Sequence, residues 1–234
     1  MQTYYDTLEI RPAEEREAAL FAALPKQIAH AQQNSPAMAE ILAGVDAASI
    51  TSREALATLP VTRKYELLER QKAQRALNAF GGFSAIGYGP NMGRVFASPG
   101  PIYEPEGKAR DYWRMGRAMH ASGFRSGELV HNCFSYHFTP AGSMMENGAH
   151  ARGCTVFPGG IGQTEQQVQV MQELKPAGYI GTPSFLKIIL EKAAEMGVPL
   201  PSVTKAMVSG EACPPSLRDW FAEHGVQTFQ CYAT

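Results

Sequence analysis

Gly178-Tyr179-Ile180-Gly181-Thr182-Pro183-Ser184-Phe185-Leu186 holds a strand, a turn and a helix start in one short stretch. The apolar residues 178–180 suit a buried strand. Thr182 and Pro183 open a helix as N-cap and first helical residue. The hydroxyl there satisfies an orphan amide, and the missing proline N–H costs nothing. The helix is expected over 183–196, with Gly197 closing it.

The same strand, turn, helix pattern repeats on both sides. Strands are expected at 94–97, 129–134, 154–157, 178–180, 206–208 and 226–232. Helices are expected near 107–121, 141–151, 165–174, 183–196 and 216–223, the last closed by Gly225. Tyr112, Met115, Gly116 and Met119 share one side at helical spacing, as do Val168, Met171 and the stem of Lys175. Strands alternating with helices imply right-handed crossovers and a mostly parallel sheet with flanking helices, an α/β fold. Ligands in such sheets lie beyond the carboxyl ends of the strands. Met144 and Met145 read as core filler.

Residues 1–80 read as a helical N-terminal region. Pro12 with Glu14 and Glu15 suits a helix start, and Pro25 is expected to interrupt or kink that helix. Thr51 with Glu54 forms a capping-box pattern, ending near Pro60. Thr62 is expected to cap a helix over 63–72. The glycines from Gly81 to Gly93 resemble a dinucleotide fingerprint only superficially. No strand precedes them and Pro90 spoils the helix start, so they read as a connection to an α/β region over 94–234.

The composition narrows the function. The 234 residues are 44% hydrophobic and 18% charged with a formal net charge of -1. No basic field favours nucleic acid. No run of about 20 apolar residues spans a membrane. The N-terminus lacks a signal peptide's basic and apolar parts. The four cysteines, Cys133, Cys154, Cys213 and Cys231, lie far apart, which favours a reduced, cytoplasmic protein. His131, Cys133, His137 and Cys154 invite a zinc reading. They contain no close Cys-x-x-Cys pair, and buried cysteine commonly acts as a small hydrophobe, so no metal site is assigned.

The loops after the strands carry the candidate site. They are 97–105, Ser135-Tyr136-His137-Phe138-Thr139-Pro140, Gly159-Gly160-Ile161-Gly162-Gln163-Thr164, Gly181-Thr182-Pro183-Ser184, Ser209-Gly210-Glu211-Ala212-Cys213-Pro214-Pro215 and Tyr232-Ala233-Thr234. Turns use such residues for ordinary reasons, but their recurrence on one rim exceeds that need.

These residues resemble the phenylacetate–coenzyme A ligase branch of the adenylate-forming enzymes over nearly the whole chain. Leu59-Pro60-Val61-Thr62-Arg63-Lys64 looks like the family's Leu-Pro, Thr, Lys signature. From Cys133 to Pro158 the match has no gap. Gly159-Gly160 with Thr164-Glu165-Gln166-Gln167, Lys175-Pro176 and Thr182-Pro183-Ser184 also match. Ser209-Gly210-Glu211-Ala212 is similar to the adenine-site turn, and Tyr232-Ala233-Thr234 to the start of the Tyr-Gly-x-Ser/Thr-Glu motif.

The resemblance implies part of the large N-terminal domain of an ATP-dependent carboxylate–CoA ligase, with an aryl or arylacetic acid such as phenylacetate as substrate. Its partners would be the acid, ATP or AMP with Mg2+, and coenzyme A, with no nucleic acid or membrane. A homodimer is left open, and no catalytic residue is assigned. Implied nucleotide-binding residues are Ser98, Gly100, Ser209, Gly210, Glu211, Ala212, Tyr232 and Thr234. Implied acid-binding residues are Tyr136, His137 and Phe138. Tyr136 also reads as a rim aromatic, His137 as a solvated loop histidine, Tyr232 as strand-end packing and Glu211 as a turn carboxylate.

The match fails in the phosphate loop. Where the family has close to Ser-Ser-Gly-Thr-Thr-Gly-Lys-Pro, this chain has Ser98-Pro99-Gly100-Pro101-Ile102-Tyr103-Glu104-Pro105. Hydroxyls and a lysine give way to Pro101, Ile102 and Glu104. Either ATP is handled differently or the loop has lost that role. A non-catalytic nucleotide- or acyl-binding module is the alternative reading. The ending in mid-motif is expected to mark a truncated chain, inactive alone, that lacks the acidic residue and lysine domain of relatives.

Overall fold

The computed structural model describes residues 3–232. The chain forms two compact units, Asp6–Lys108 and a second that runs from Ala109 onward and includes the segment before Asp6.

The Asp6–Lys108 unit holds helices α1 (Ala13–Asn34), α2 (Pro36–Ile41), α3 (Arg53–Ala57) and α4 (Lys64–Gln74), then strands β1 (Met92–Ser98) and β2 (Ile102–Gly107). The first helix runs through Pro25 rather than breaking there. Leu24, Ile28 and Ala31 flank that proline and pack with Leu42 and Ile50. That burial offsets the amide bond the ring removes. Two caps also differ from expectation. Ser52, not Thr51, accepts the Ala55 amide at 3.2 Å to start α3. Glu66, not Thr62, closes the start of α4, where Oε2 accepts the Arg63 amide at 2.8 Å.

The glycine-rich stretch is spent on packing. The Gly82 carbonyl accepts Ser35 Oγ at 2.8 Å and the Ala37 amide at 3.0 Å. The Gly81 carbonyl accepts Arg70 Nε at 2.9 Å. The next element is strand β1, so this stretch feeds no helix.

The strand expected at 94–97 does not join a parallel sheet. It is part of β1, which pairs antiparallel with β2 in a separate two-stranded sheet. Ser98 faces Ile102 and Phe96 faces Glu104 in its register. The phosphate-loop residues thus form a hairpin turn and its second strand. With β2 reaching Gly107, the helix expected near 107–121 shortens to α5 (Gly116–Ala121).

The second unit contains, after α5, β3 (Leu129–Asn132), α6 (Ala141–Arg152), β4 (Thr155–Pro158), α7 (Thr164–Leu174), β5 (Gly178–Gly181), α8 (Pro183–Glu195), β6 (Lys205–Val208), α9 (Pro215–Glu223) and β7 (Gln227–Gln230). The strands form one five-stranded sheet, ordered β4-β3-β5-β6-β7. Every neighbouring pair in it is parallel.

Side chains alternate across this sheet as the strand period requires. Cys133, Tyr179 and Val208 enter one core with Val168, Met171, Leu186, Ile189 and Phe221 from α7, α8 and α9. Phe134, Ile180 and Met207 enter the other with Met119 and Met145 from α5 and α6. Thr182 caps α8, accepting the Phe185 amide at 3.4 Å with Pro183 in the first turn. Gly197 and Gly225 adopt φ of 67° and 79° just beyond α8 and α9, which glycine takes most easily. Val168 and Met171 are buried as expected, whereas Lys175 is an exposed left-handed cap of α7. No helix among the described residues is long and apolar enough to cross a membrane.

Candidate functional site

The carboxyl ends of β5, β6 and β7 bring the turns after them together. The Ser209 amide donates to the Gly181 carbonyl at 3.2 Å, and Ser209 Oγ donates to the Cys231 carbonyl at 2.9 Å. Glu211 reaches back to the start of α8, where Oε2 accepts the Ser184 amide at 3.4 Å. Its own carbonyl accepts Gln230 Nε2 at 3.2 Å. Gly210 takes φ 82° at this turn. Gly210, Glu211 and Ala212 are exposed, and Tyr232 is 89% exposed. The arrangement is a tied backbone platform with exposed residues and one exposed aromatic ring. Thr234, the other residue expected here, lies outside the described residues.

The carboxyl ends of β3 and β4 form a second constellation. The Asn132 side chain is fully buried. Its Nδ2 donates to the Tyr136 hydroxyl and the Gly142 carbonyl, each at 2.9 Å, and its Oδ1 accepts the Phe134 amide at 3.2 Å. Tyr136 in turn donates to Glu146 Oε2 at 2.8 Å. Tyr136 is therefore half-buried and held in orientation. His137 is exposed, its amide bound to Ser135 Oγ at 3.1 Å. Phe138 is 82% exposed at φ 61°, an uncommon conformation for a bulky residue.

Ser98 and Gly100 belong to the Asp6–Lys108 unit, at the end of β1 and in the turn before β2. Their loop does not follow a strand of the parallel sheet, contrary to the expected single rim. The hairpin's backbone is already engaged. Gln71 clasps Tyr103, accepting its amide at 2.8 Å and donating to its carbonyl at 2.9 Å. Arg75 donates to the Pro101 carbonyl at 3.1 Å.

Cys133 and His131 behave as core groups. Burial pushes the Cys133 thiol far up from its ordinary range. Cys133 Sγ donates to Gln167 Oε1 at 3.9 Å, and His131 Nε2 lies 2.5 Å from the same oxygen. Both thus share one sheet face, and burial pushes the His131 pKa down. Among the described residues, no group of three or more His, Cys, Asp or Glu side chains converges to hold a metal. These side chains do not fit a magnesium ion, and none of its chemistry is assigned to them. Met145 is buried in the core and Met144 packs against it.

Asn132 and Glu146 escaped the reading of the sequence, and His131 entered it only as a candidate zinc ligand. A polar residue closing a buried strand was the signal available for Asn132.

The fold and these two constellations can be set beside known proteins. No family model matches the chain. It is 30% identical over 202 residues to a phenylacetate-coenzyme A ligase of Aromatoleum evansii, covering 82% of this chain and 44% of that one. The chain belongs to the phenylacetate–coenzyme A ligase family. A family member from Thermus thermophilus is 29% identical over 204 residues, covering 83% of this chain and 44% of its own length. The structure also matches that of 2-hydroxyisobutyryl-CoA ligase in an open conformation, in complex with 2-HIB-AMP and CoA. The TM-score is 0.83 at 26% identity, covering 95% of this chain and 51% of that one. The chain thus spans about half the length of these relatives. Its fold is that of adenylate-forming CoA ligases.

Proposed function

We propose that the chain is part of an ATP-dependent carboxylate–coenzyme A ligase acting on an aryl or arylacetic acid such as phenylacetate. The observation that carries this reading is the convergence of the 209–212 turn, the start of α8 and the Cys231 backbone next to Tyr232 at the carboxyl ends of β5, β6 and β7. That edge is where open parallel sheets bind ligands.

In the first step a carboxylate oxygen attacks the α-phosphorus of ATP. The bond to the β-phosphate oxygen breaks, giving an acyl-adenylate and pyrophosphate. In the second step the coenzyme A thiol gives up its proton, its sulfur attacks the acyl carbon, and the acyl C–O bond breaks so that AMP leaves with the carboxylate oxygen it had gained. Two anions must approach in the first step, so charge stabilisation dominates its barrier. Ser209, Gly210, Glu211 and Ala212 are assigned the purine edge, and Tyr232 its face. Tyr136, His137 and Phe138 are assigned the acid, with the Tyr136 ring held by Asn132 and Glu146.

Titration calorimetry of the chain with AMP tests the nucleotide site. Tyr232→Ala should weaken AMP by roughly threefold to tenfold. An unchanged affinity would remove Tyr232 from the site.

A second reading, a non-catalytic nucleotide- or acyl-binding module, is favoured by the hairpin. Gln71 and Arg75 occupy backbone groups of Pro101 and Tyr103, and Glu104 would repel phosphate where the resemblance expects a lysine. In the ligase reading, Glu104→Lys raises ATP affinity more than acid affinity, because a cation then meets the phosphates. Equal ATP affinities in both proteins would favour the module.

A further inference from the structure

Gln167, on α7, turns its side chain back onto the loop that precedes its own helix. Nε2 donates to the carbonyls of Gly159 at 3.0 Å, Gly160 at 3.3 Å and Gly162 at 3.2 Å. An amide end facing carbonyls must be the NH2 end, so Oε1 is left to accept. It accepts from His131 Nε2, 2.5 Å away. The network thereby assigns the imidazole proton to Nε2. His131 is fully buried, stacks on Phe157 with ring centroids 5.1 Å apart, and leaves Nδ1 without a partner.

The clamp closes only on glycine at its first position. A Cβ on Gly159 would lie 2.6 Å from Gln167 Oε1 and 2.7 Å from His131 Nε2. The clamped loop is joined to the Tyr136 constellation. The Gly160 amide donates to the Asn132 carbonyl at 3.0 Å, and the Asn132 side chain holds the Tyr136 hydroxyl. In the middle of the clamped loop Ile161 stands 66% exposed. This apolar side chain is held in solvent on backbone pinned from both sides. It is well placed for a ligand's apolar surface.

We propose that His131 and Gln167 are positioning residues that lock the 159–162 loop, and that Ile161 on this loop sets specificity for the hydrocarbon part of the acid beside Tyr136. The inference rests on the ligase reading and extends it to residues that act on acid selection. Locking matters because a displacement of about 1 Å in a binding wall is enough to cost a large factor. The loop follows β4 and the Tyr136 loop follows β3, neighbours in the sheet, so both lie at one sheet edge.

The test is calorimetry on the chain with AMP and with non-hydrolysable phenylacetyl- and acetyl-adenylate analogues. Gln167→Met and Ile161→Ala should each weaken the phenylacetyl analogue by roughly tenfold. AMP should bind all three proteins alike, and the acetyl analogue should lose less than the phenylacetyl one. Equal losses for both analogues, or a parallel loss of AMP, would reduce the clamp to a structural role and overturn the proposal. Ile161 is exposed, so its variant folds even if Gln167→Met does not. If the unaltered chain bound none of these ligands, the ligase reading would fall and the specificity claim with it. The clamp is then judged by amide hydrogen exchange, where Gln167→Met should speed exchange at Gly160. Unchanged exchange would show that no clamp holds the loop.

Discussion

Tyr136 and Glu146 are joined by a 2.8 Å hydrogen bond from the phenol hydroxyl to the carboxylate, which ties the loop after β3 to helix α6. The same hydroxyl accepts from Asn132 at 2.9 Å. Tyr136→Phe removes one donor and one acceptor from this chain of bonds and should cost about 1 kcal/mol. Asn132→Ala strands Tyr136, the Gly142 carbonyl and the Phe134 amide together and should cost roughly 2–3 kcal/mol. Urea denaturation of the two variants checks the order. A larger loss from Tyr136→Phe would show that the hub is not Asn132.

Helices α5 and α6 meet at Gly148, where an added Cβ would sit 2.5 Å from the Met115 Cβ and 2.9 Å from its carbonyl carbon. The second of these is backbone, so the helix start must move. Gly148→Ala is expected to destabilise by about 1–3 kcal/mol through overpacking, despite alanine's better helix propensity. A melting temperature at or above that of the unaltered protein would mean that the helices pack less closely than described.

The pH dependence of stability carries a His131 signature. Burial lowers its pKa from the ordinary 6.5, against a raising hydrogen bond from Gln167. The unfolded chain therefore binds the proton more readily than the folded one. Stability from this group is fully present above 6.5 and falls as pH drops from there toward the folded value. Around the ring lie Gln167 and Phe157, with Tyr179 opposite on β5 and Cys133 sharing the Gln167 oxygen. Burial raises the pKa of both Cys133 and Tyr179, so neither is charged in this range. Chemical denaturation between pH 7.5 and 5 should show a shallower loss in His131→Asn than in the unaltered protein. Identical slopes would show that the imidazole protonates without cost.

Thiol labelling should follow burial. Cys133, Cys154 and Cys213 are buried, and Cys231 is half-buried beside the exposed Tyr232. A thiolate is the reactive species, and burial raises the pKa of Cys133, Cys154 and Cys231 alike. Access therefore decides the order. Iodoacetamide under native conditions should modify Cys231 first and Cys133 last, read by peptide mass spectrometry. Early modification of Cys133 would mean that the core containing it opens readily.

Much of the second unit was legible along the chain because its signals act over a few residues. Thr182-Pro183 marks a helix start through one hydroxyl and one missing N–H, and Gly197 marks the end through a left-handed turn. Short strand-like segments between turns and helix starts named the strands from Leu129 onward. The glycine, serine and threonine loops named the sheet edge where candidate ligand groups gather. Residues 133–158 also carried the family likeness.

What the sequence left open was settled by which segments meet. Residues 94–97 have a strand's composition, but nothing local says whether the partner is a distant parallel strand or the next residues folding back. The antiparallel pairing of β1 with β2 decides it and takes the altered phosphate loop out of the parallel sheet. Pro25 signals a break that burial of Leu24 and Ile28 overrides. His131 and Gln167 are 36 positions apart, and only the pairing of β3 with β4 and the return of α7 place one against the other. Capping and periodicity depend on neighbours along the chain. Strand order and the satisfaction of buried polar groups depend on neighbours in space, and those exist only once the core has formed.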